Sequence, residues 1–190
     1  SASDTAYDET SISTQGGYLG YRFHGENIVL ETGSRYDDDE QYGDFWSFNT
    51  NAVLNFSNGD SLALGQATAF RAPTFNELYY PSYGNPDLSV ERSRIWNIDY
   101  TLPLVDGSLL ISGQRALFTN QIDSTPKNIG HSEINSLTIT WEQHWSRAFS
   151  SRLIQEWLDA QDLDNDRRLA RRAPRVSKAI VSYQANRWDA

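Results

Sequence analysis

Apolar and polar residues alternate with a period of two over long stretches of this chain, and that pattern limits its fold more than any other property. Between positions 44 and 56, Trp46, Phe48, Thr50, Ala52, Leu54 and Phe56 share one parity, while Ser47, Asn49, Asn51 and Asn55 share the other. Leu137, Ile139, Trp141 and Trp145 oppose Ser136, Thr138, Thr140, Glu142 and His144. Trp96, Ile98, Tyr100 and Leu102 oppose Asn97, Asp99 and Thr101, and Ile28, Leu30, Thr32 and Tyr36 oppose Glu31, Gly33 and Arg35. Successive side chains of a strand point to opposite faces, so each stretch reads as a strand with one apolar and one polar side. Helical spacing is almost absent.

Other stretches alternate less cleanly. From Ser61 to Phe70, Leu62, Leu64 and Phe70 face small residues, and in Leu109 to Asn120 the charge of Arg115 falls in phase with Leu109 and Ile111, which a bulge or an exit from the apolar zone would explain. Phe149 to Gln161 and Val176 to Ala185 accept either phase. The expected total is about nine strands of roughly ten or more residues, where a globular strand has about five or six. The connections sort by length. Short turns are His24-Gly25-Glu26, Ser57-Asn58-Gly59-Asp60, Val105-Asp106-Gly107 and Ser146-Arg147-Ala148, two of them with the Asn-Gly or Asp-Gly of tight hairpins. Long connections are expected over 37–44, 73–93, 121–133 and 159–174, where most of the acids lie.

Composition now becomes informative. Six Trp, ten Tyr and eight Phe are a heavy aromatic load for a chain of mean hydropathy −0.60. Phe23, Phe56, Trp145 and Phe149 flank short turns, whereas Tyr36, Trp46, Phe70, Phe118 and Trp157 lie near long connections. Aromatic girdles at both ends of strands long enough to cross about 25 Å of apolar band, with trimmed turns at one end and long loops at the other, describe a transmembrane antiparallel β-barrel wall. No run of about 18 apolar residues exists, so a helical membrane crossing is excluded. The net charge of −9 argues against binding nucleic acid through its phosphates, and the absence of cysteine removes disulfides, thiolate metal sites and cysteine nucleophiles. Single-chain bacterial barrels close with even strand numbers, so nine strands imply a section of a larger barrel, or else a tenth strand near Thr5 to Gln15.

The most specific string is Ala69-Phe70-Arg71-Ala72-Pro73-Thr74-Phe75-Asn76-Glu77-Leu78-Tyr79-Tyr80, followed by Tyr83-Gly84-Asn85-Pro86-Asp87-Leu88-Ser89-Val90-Glu91-Arg92-Ser93. It resembles the Phe-Arg/Lys-Ala-Pro … Leu-Tyr … Gly-Asn-Pro-Asp/Asn-Leu-x-Pro-Glu-x-Ser signature of TonB-dependent outer-membrane receptors, and among them is most similar to the cobalamin (vitamin B12) receptors. Arg35-Tyr36-Asp37-Asp38, Asn120-Gln121-Ile122-Asp123 and Arg171-Arg172-Ala173-Pro174 fit the same resemblance, which spans roughly Tyr7 to Tyr183. Val90 departs from it, standing where the signature has Pro. The resemblance implies an all-β, 22-stranded barrel filled by an N-terminal plug, of which residues 1–190 would be a middle-to-late section of wall without the plug and the C-terminal strands. It further implies a receptor in the bacterial outer membrane, not an enzyme, for cobalamin or a similar large cofactor. A siderophore or haem receptor is the alternative, and an autonomous small structural or adhesive barrel is the alternative of another class. Implied partners are outer-membrane lipids and lipopolysaccharide, the TonB complex through the plug, and a cobalamin or metal-chelate ligand.

Within the string, Pro73 stops a strand and Asn85-Pro86-Asp87 turns the chain back, while Glu91 and Arg92 are placed to pair at the rim. Most of these residues therefore shape a loop. Tyr79, Tyr80 and Tyr83 offer flat area with a hydroxyl and are the candidate ligand contacts, together with Asn85 and Asp87 of the turn. No metal site is expected. Asp162-Leu163-Asp164-Asn165-Asp166 begins like a calcium loop but has Arg167 at position six and Ala173 at position twelve. Asp37-Asp38-Asp39-Glu40 with Asp44 reads as solvated charge, with calcium at the acidic loops as the alternative that the resemblance to cobalamin receptors implies. The Arg-rich stretch from Arg167 to Arg175 suits lipopolysaccharide phosphates or neighbouring acidic loops. His24, His131 and His144 are scattered, and His144 with Glu142 is the one local pair, too little for a hydrolase.

Overall fold

In a computed structural model, described over residues 13–184, the chain is a single antiparallel sheet in which the long strands are neighbours in chain order. The strands are β1 (Thr14–His24), β2 (Ile28–Asp39), β3 (Gly43–Asn55), β4 (Ser61–Arg71), β5 (Glu91–Leu104), β6 (Gly107–Ile122), β7 (Asn128–His144), β8 (Phe149–Asp162), a two-residue β9 (Arg167–Arg168) on the end of β8, and β10 (Arg175–Tyr183). One helix, α1 (Phe75–Tyr79), lies between β4 and β5. The expected extra strand near Thr5 to Gln15 falls mostly outside the described residues, which open into β1 at Thr14.

Opposed residues of an antiparallel pair share a face, so the register traces the two faces across the wall. Phe23, Leu30, Ala52, Leu64, Ile98, Gly113, Leu137 and Trp157 form one row from β1 to β8. One step along, Arg22, Glu31, Asn51, Gly65, Asn97, Gln114 and Ser136 form a row on the other face. The apolar row stays open to its surroundings: Leu64, Ile98 and Leu137 are each more than 40% exposed. A water-soluble sheet would cover such a face, and a membrane wall presents it to lipid. The fully buried apolar side chains sit instead at the end of the long loops, among them Leu78 and Leu88.

Register also settles the stretches that alternation left open. The ladder between β6 and β7 runs unbroken from Gly107 opposite Gln143 to Thr119 opposite His131, so there is no bulge at Arg115. Arg115 stands opposite Asn135 and pairs with Glu133 at 3.1 Å, which places it beyond the apolar band. In β8, Leu153 and Trp157 join the apolar face, and in β10 Ala179 and Tyr183 do.

The turns follow their sequence signals. In Ser57–Asp60, Gly59 adopts φ +93°, a left-handed conformation that side chains disfavour, while the Phe56 amide bonds the Asp60 carbonyl at 2.9 Å. At the opposite end two connections are shorter than expected. β2 and β3 leave only three residues between them, and β6 and β7 only five, because both hairpins continue past the apolar band. The 159–174 connection is likewise shortened by β8 and β9. Beyond the band the two faces no longer differ in polarity, with Ile122 and Ile129 standing among Asn120, Gln121, Asn128 and Ser132, so these residues lose the alternation that marks a strand while keeping its ladder.

Candidate ligand-facing rim

The long connection between β4 and β5 begins with a helix that the alternation could not indicate. Thr74 caps α1: its hydroxyl accepts from the Glu77 amide at 3.3 Å, and the Glu77 carboxylate accepts from the Thr74 amide at 2.7 Å. This reciprocal pair satisfies donors that a helix start otherwise leaves unpaired. The signal, Thr-x-x-Glu directly after Pro73, is present in the sequence. Glu77 also receives Arg71 at 3.0 Å, Arg71 reaches Glu91 at 3.6 Å, and Glu91 accepts from the Ile122 amide at 2.9 Å. One chain of charge-assisted contacts thus joins the ends of β4, β5 and β6 to α1. Burial pushes the Glu77 carboxyl up, but the Thr74 amide, the Arg71 guanidinium and the Thr74 hydroxyl outweigh it and hold Glu77 below the usual carboxylate range.

The remainder of the loop is clasped from both sides. Toward β2 and β3, the Tyr42 hydroxyl donates to the Leu88 carbonyl at 3.1 Å and Tyr79 reaches Gln41 at 3.4 Å. Toward β6 and β7, Tyr83 donates to the Ser124 carbonyl at 2.7 Å and Asn85 to the Pro126 carbonyl at 3.0 Å. Asn128 accepts from the Ser89 amide at 2.8 Å and donates to the carbonyls of Ser89 and Asn120 at 2.9 and 2.8 Å. Gly84 permits the fold-back, since a Cβ there would strike the Leu78 carbonyl and the Tyr80 amide. The five candidate residues therefore divide. Tyr79, Tyr83 and Asn85 have polar atoms engaged in holding the loop, and the Asn85 side chain also accepts from the Asp87 amide at 3.1 Å. Tyr80, 51% exposed and edge-on to Tyr83, and the exposed Asp87 face outward with no polar side-chain bond among the described residues.

The acidic runs are engaged in turns. Buried Asp162 accepts from the amides of Asp164 and Asn165, from the Asn165 side chain and from Arg167. Asp164 accepts from the His131 amide at 2.9 Å. Asp39 accepts from the Gln41 and Tyr42 amides and the Thr14 hydroxyl, and Asp37 holds Arg35 at 2.6 Å. Among the described residues no group of three or more His, Asp or Glu side chains converges as a metal site would require.

A sheet with one apolar face left open, trimmed turns at one end and a braced loop rim at the other defines the wall of an outer-membrane β-barrel. The model of the family described as TonB dependent receptor-like, beta-barrel, matches residues 1–190, and the chain belongs to that family. Members are receptors and transporters of the bacterial outer membrane and not enzymes. Over 98% of its length the chain is 29% identical to the vitamin B12 transporter BtuB of Vibrio vulnificus, and over 97% it is 28% identical to that of Photobacterium profundum. It spans 32% of the length of each. Its fold matches 32% of the siderophore receptor PirA from Pseudomonas aeruginosa with a TM-score of 0.71, covering 77% of this chain at 19% identity.

Proposed function

We propose that this chain is a section of the wall and outer rim of a TonB-dependent receptor that actively takes up cobalamin or a similarly large cofactor. The observation that carries the cargo is the identity of 28–29% to two vitamin B12 transporters along almost the whole chain, the β4–β5 loop included. Tyr80 and Asp87 are the contacts this reading assigns to the ligand, since their side chains are exposed on a loop that Glu77, Tyr83 and Asn128 hold in place. Rigid aromatic area on a fixed loop binds at low entropic cost. Coupling to TonB through a plug belongs, on this proposal, to the remaining two thirds of such a receptor.

A siderophore receptor is the second reading, favoured by the fold match to PirA. Uptake decides between them. Cells without their own cobalamin receptor, expressing the intact receptor that contains this chain, are expected to accumulate radiolabelled cyanocobalamin, with less bound by Tyr80→Ala. Accumulation of a ferric chelate in its place would overturn the cobalamin assignment.

A further inference from the structure

The tip of the β6–β7 hairpin and the segment after β9 form a cavity of about 420 Å³ between them at the outer rim, with Ile122, Asp123, Lys127, Leu169, Arg171 and Arg172 in its lining. Arg167 and Arg168 border it too, but both are committed: Arg167 holds Asp162 at 3.0 Å and Arg168 holds Asp159 at 3.5 Å. Lys127, Arg171 and Arg172 are exposed, and among the described residues their side chains meet no carboxylate and make no hydrogen bond.

The acidic neighbours that the sequence offers as partners are engaged elsewhere. Asp162 holds its own turn and Asp164 holds the His131 amide. Asp123, the one carboxylate in the lining, accepts from the amide and the hydroxyl of Ser124 at 2.7 and 3.4 Å. Asp166 is exposed and bonds none of the three cations. Backbone bonds meanwhile fix both walls of the cavity. The Asp123 amide donates to the Lys127 carbonyl at 3.0 Å, closing the hairpin tip, and the Leu169 amide donates to the Ala160 carbonyl at 2.9 Å, anchoring the other wall to β8. Arg171 adopts φ +58°, a left-handed conformation that a side chain disfavours.

Three like charges around one cavity repel one another, in a chain whose net charge is −9. An anion between them removes that repulsion and accepts charge-assisted hydrogen bonds, for which guanidinium matches the paired oxygens of carboxylate and phosphate. The volume lies at the small end of the range for ligand sites. The cavity also stands clear of the membrane: Arg115 is already beyond the apolar band, and Gln121 is six residues further out, about 14 Å along the axis for a strand tilted by about 45°. We infer that this cavity binds a small soluble oxyanion carrying two or more negative charges, a phosphate ester or a polycarboxylate, between Lys127 and the Arg171–Arg172 pair. Bound there, the anion ties the hairpin tip to the segment after β9. The same tip holds the β4–β5 loop through the Ser124 and Pro126 carbonyls, so occupancy also steadies the loop that carries Tyr80 and Asp87. Neither of those residues lines the cavity, and the inference is independent of the cargo.

The test is equilibrium dialysis of the intact receptor in detergent against radiolabelled pyrophosphate, in metal-free buffer of constant ionic strength. Binding is expected to saturate and to be displaced by tricarballylate but not by acetate. R171Q/R172Q is expected to bind at least about tenfold more weakly, the scale of one or two charge-assisted hydrogen bonds, and K127Q to bind more weakly in the same sense. R175Q, which removes an exposed arginine outside the cavity, should leave binding unchanged. A heat-modifiable band on a gel reports that each variant is folded, and the single variants R171Q and R172Q carry the comparison if the double one is not. Saturating pyrophosphate is expected to slow hydrogen exchange over 81–90 and 121–127 in the parent but not in R171Q/R172Q, and binding without that slowing would overturn the coupling to the loop. Binding that does not saturate, a loss in R175Q equal to that in R171Q/R172Q, or displacement by lipopolysaccharide at a lower phosphate concentration than by unlabelled pyrophosphate would overturn the site.

Discussion

Glu77 shows how one side chain holds the rim together, since it caps α1 and anchors Arg71 at once. Its folded-state pKa lies below the ordinary value. The order it supports is therefore complete above the unfolded pKa of a glutamate and is lost as pH falls through the depressed folded value. Hydrogen exchange of residues 72–90 in the intact receptor is expected to accelerate on acidification through that window. Glu77→Gln should raise exchange at neutral pH and flatten its pH dependence, with a local cost of about 1 kcal/mol for the weakened cap. Unchanged pH dependence in E77Q would assign the effect to another group.

At the scale of elements, the β6–β7 hairpin acts as the far clasp of the β4–β5 loop. Asn128 makes three bonds there, two to Ser89 and one to the Asn120 carbonyl, and Asn120 sits at φ +56° where the ladder skips a pair. Asn128→Ala leaves those backbone groups to water and is expected to loosen the loop by about 1–3 kcal/mol. Limited proteolysis within 81–90 should then quicken while the heat-modifiable band stays unchanged. This clasp was invisible to alternation. Residues 121–133 carry no period-two pattern because a strand that has left the apolar band has no apolar side to show, yet its backbone groups still need partners and keep the ladder. The helix had a readable signal in Thr74-x-x-Glu77, but at five residues it makes no periodic pattern of its own.

For the whole molecule the deciding property is which face meets lipid. Ile98 and Asn97 are adjacent in sequence, and register puts them in the apolar row and the polar row respectively. Ile98→Lys is expected to destabilise the folded receptor by about 2–4 kcal/mol, as a charge near the middle of a lipid-facing wall does. Asn97→Lys should cost far less. Unfolding of the intact receptor from lipid vesicles in guanidinium measures both, and an equal cost would reverse the assignment of faces.

The strands that cross the apolar band, the tight turns at one end, the two faces and the family are all legible in the order of residues. Each of these rests on a local pattern, alternation or turn chemistry or a contiguous motif, that no distant contact is needed to produce. Tertiary structure alone decided the phase of β8 and β10, the lengths of the outer hairpins, the division of the tyrosines into clasps and exposed contacts, and the cavity where Lys127, Arg171 and Arg172 meet no carboxylate. Those depend on register and on residues some 40 positions apart, such as Tyr83 with Ser124. A linear pattern encodes which side of a strand a residue occupies, but not which side chain stands across from it.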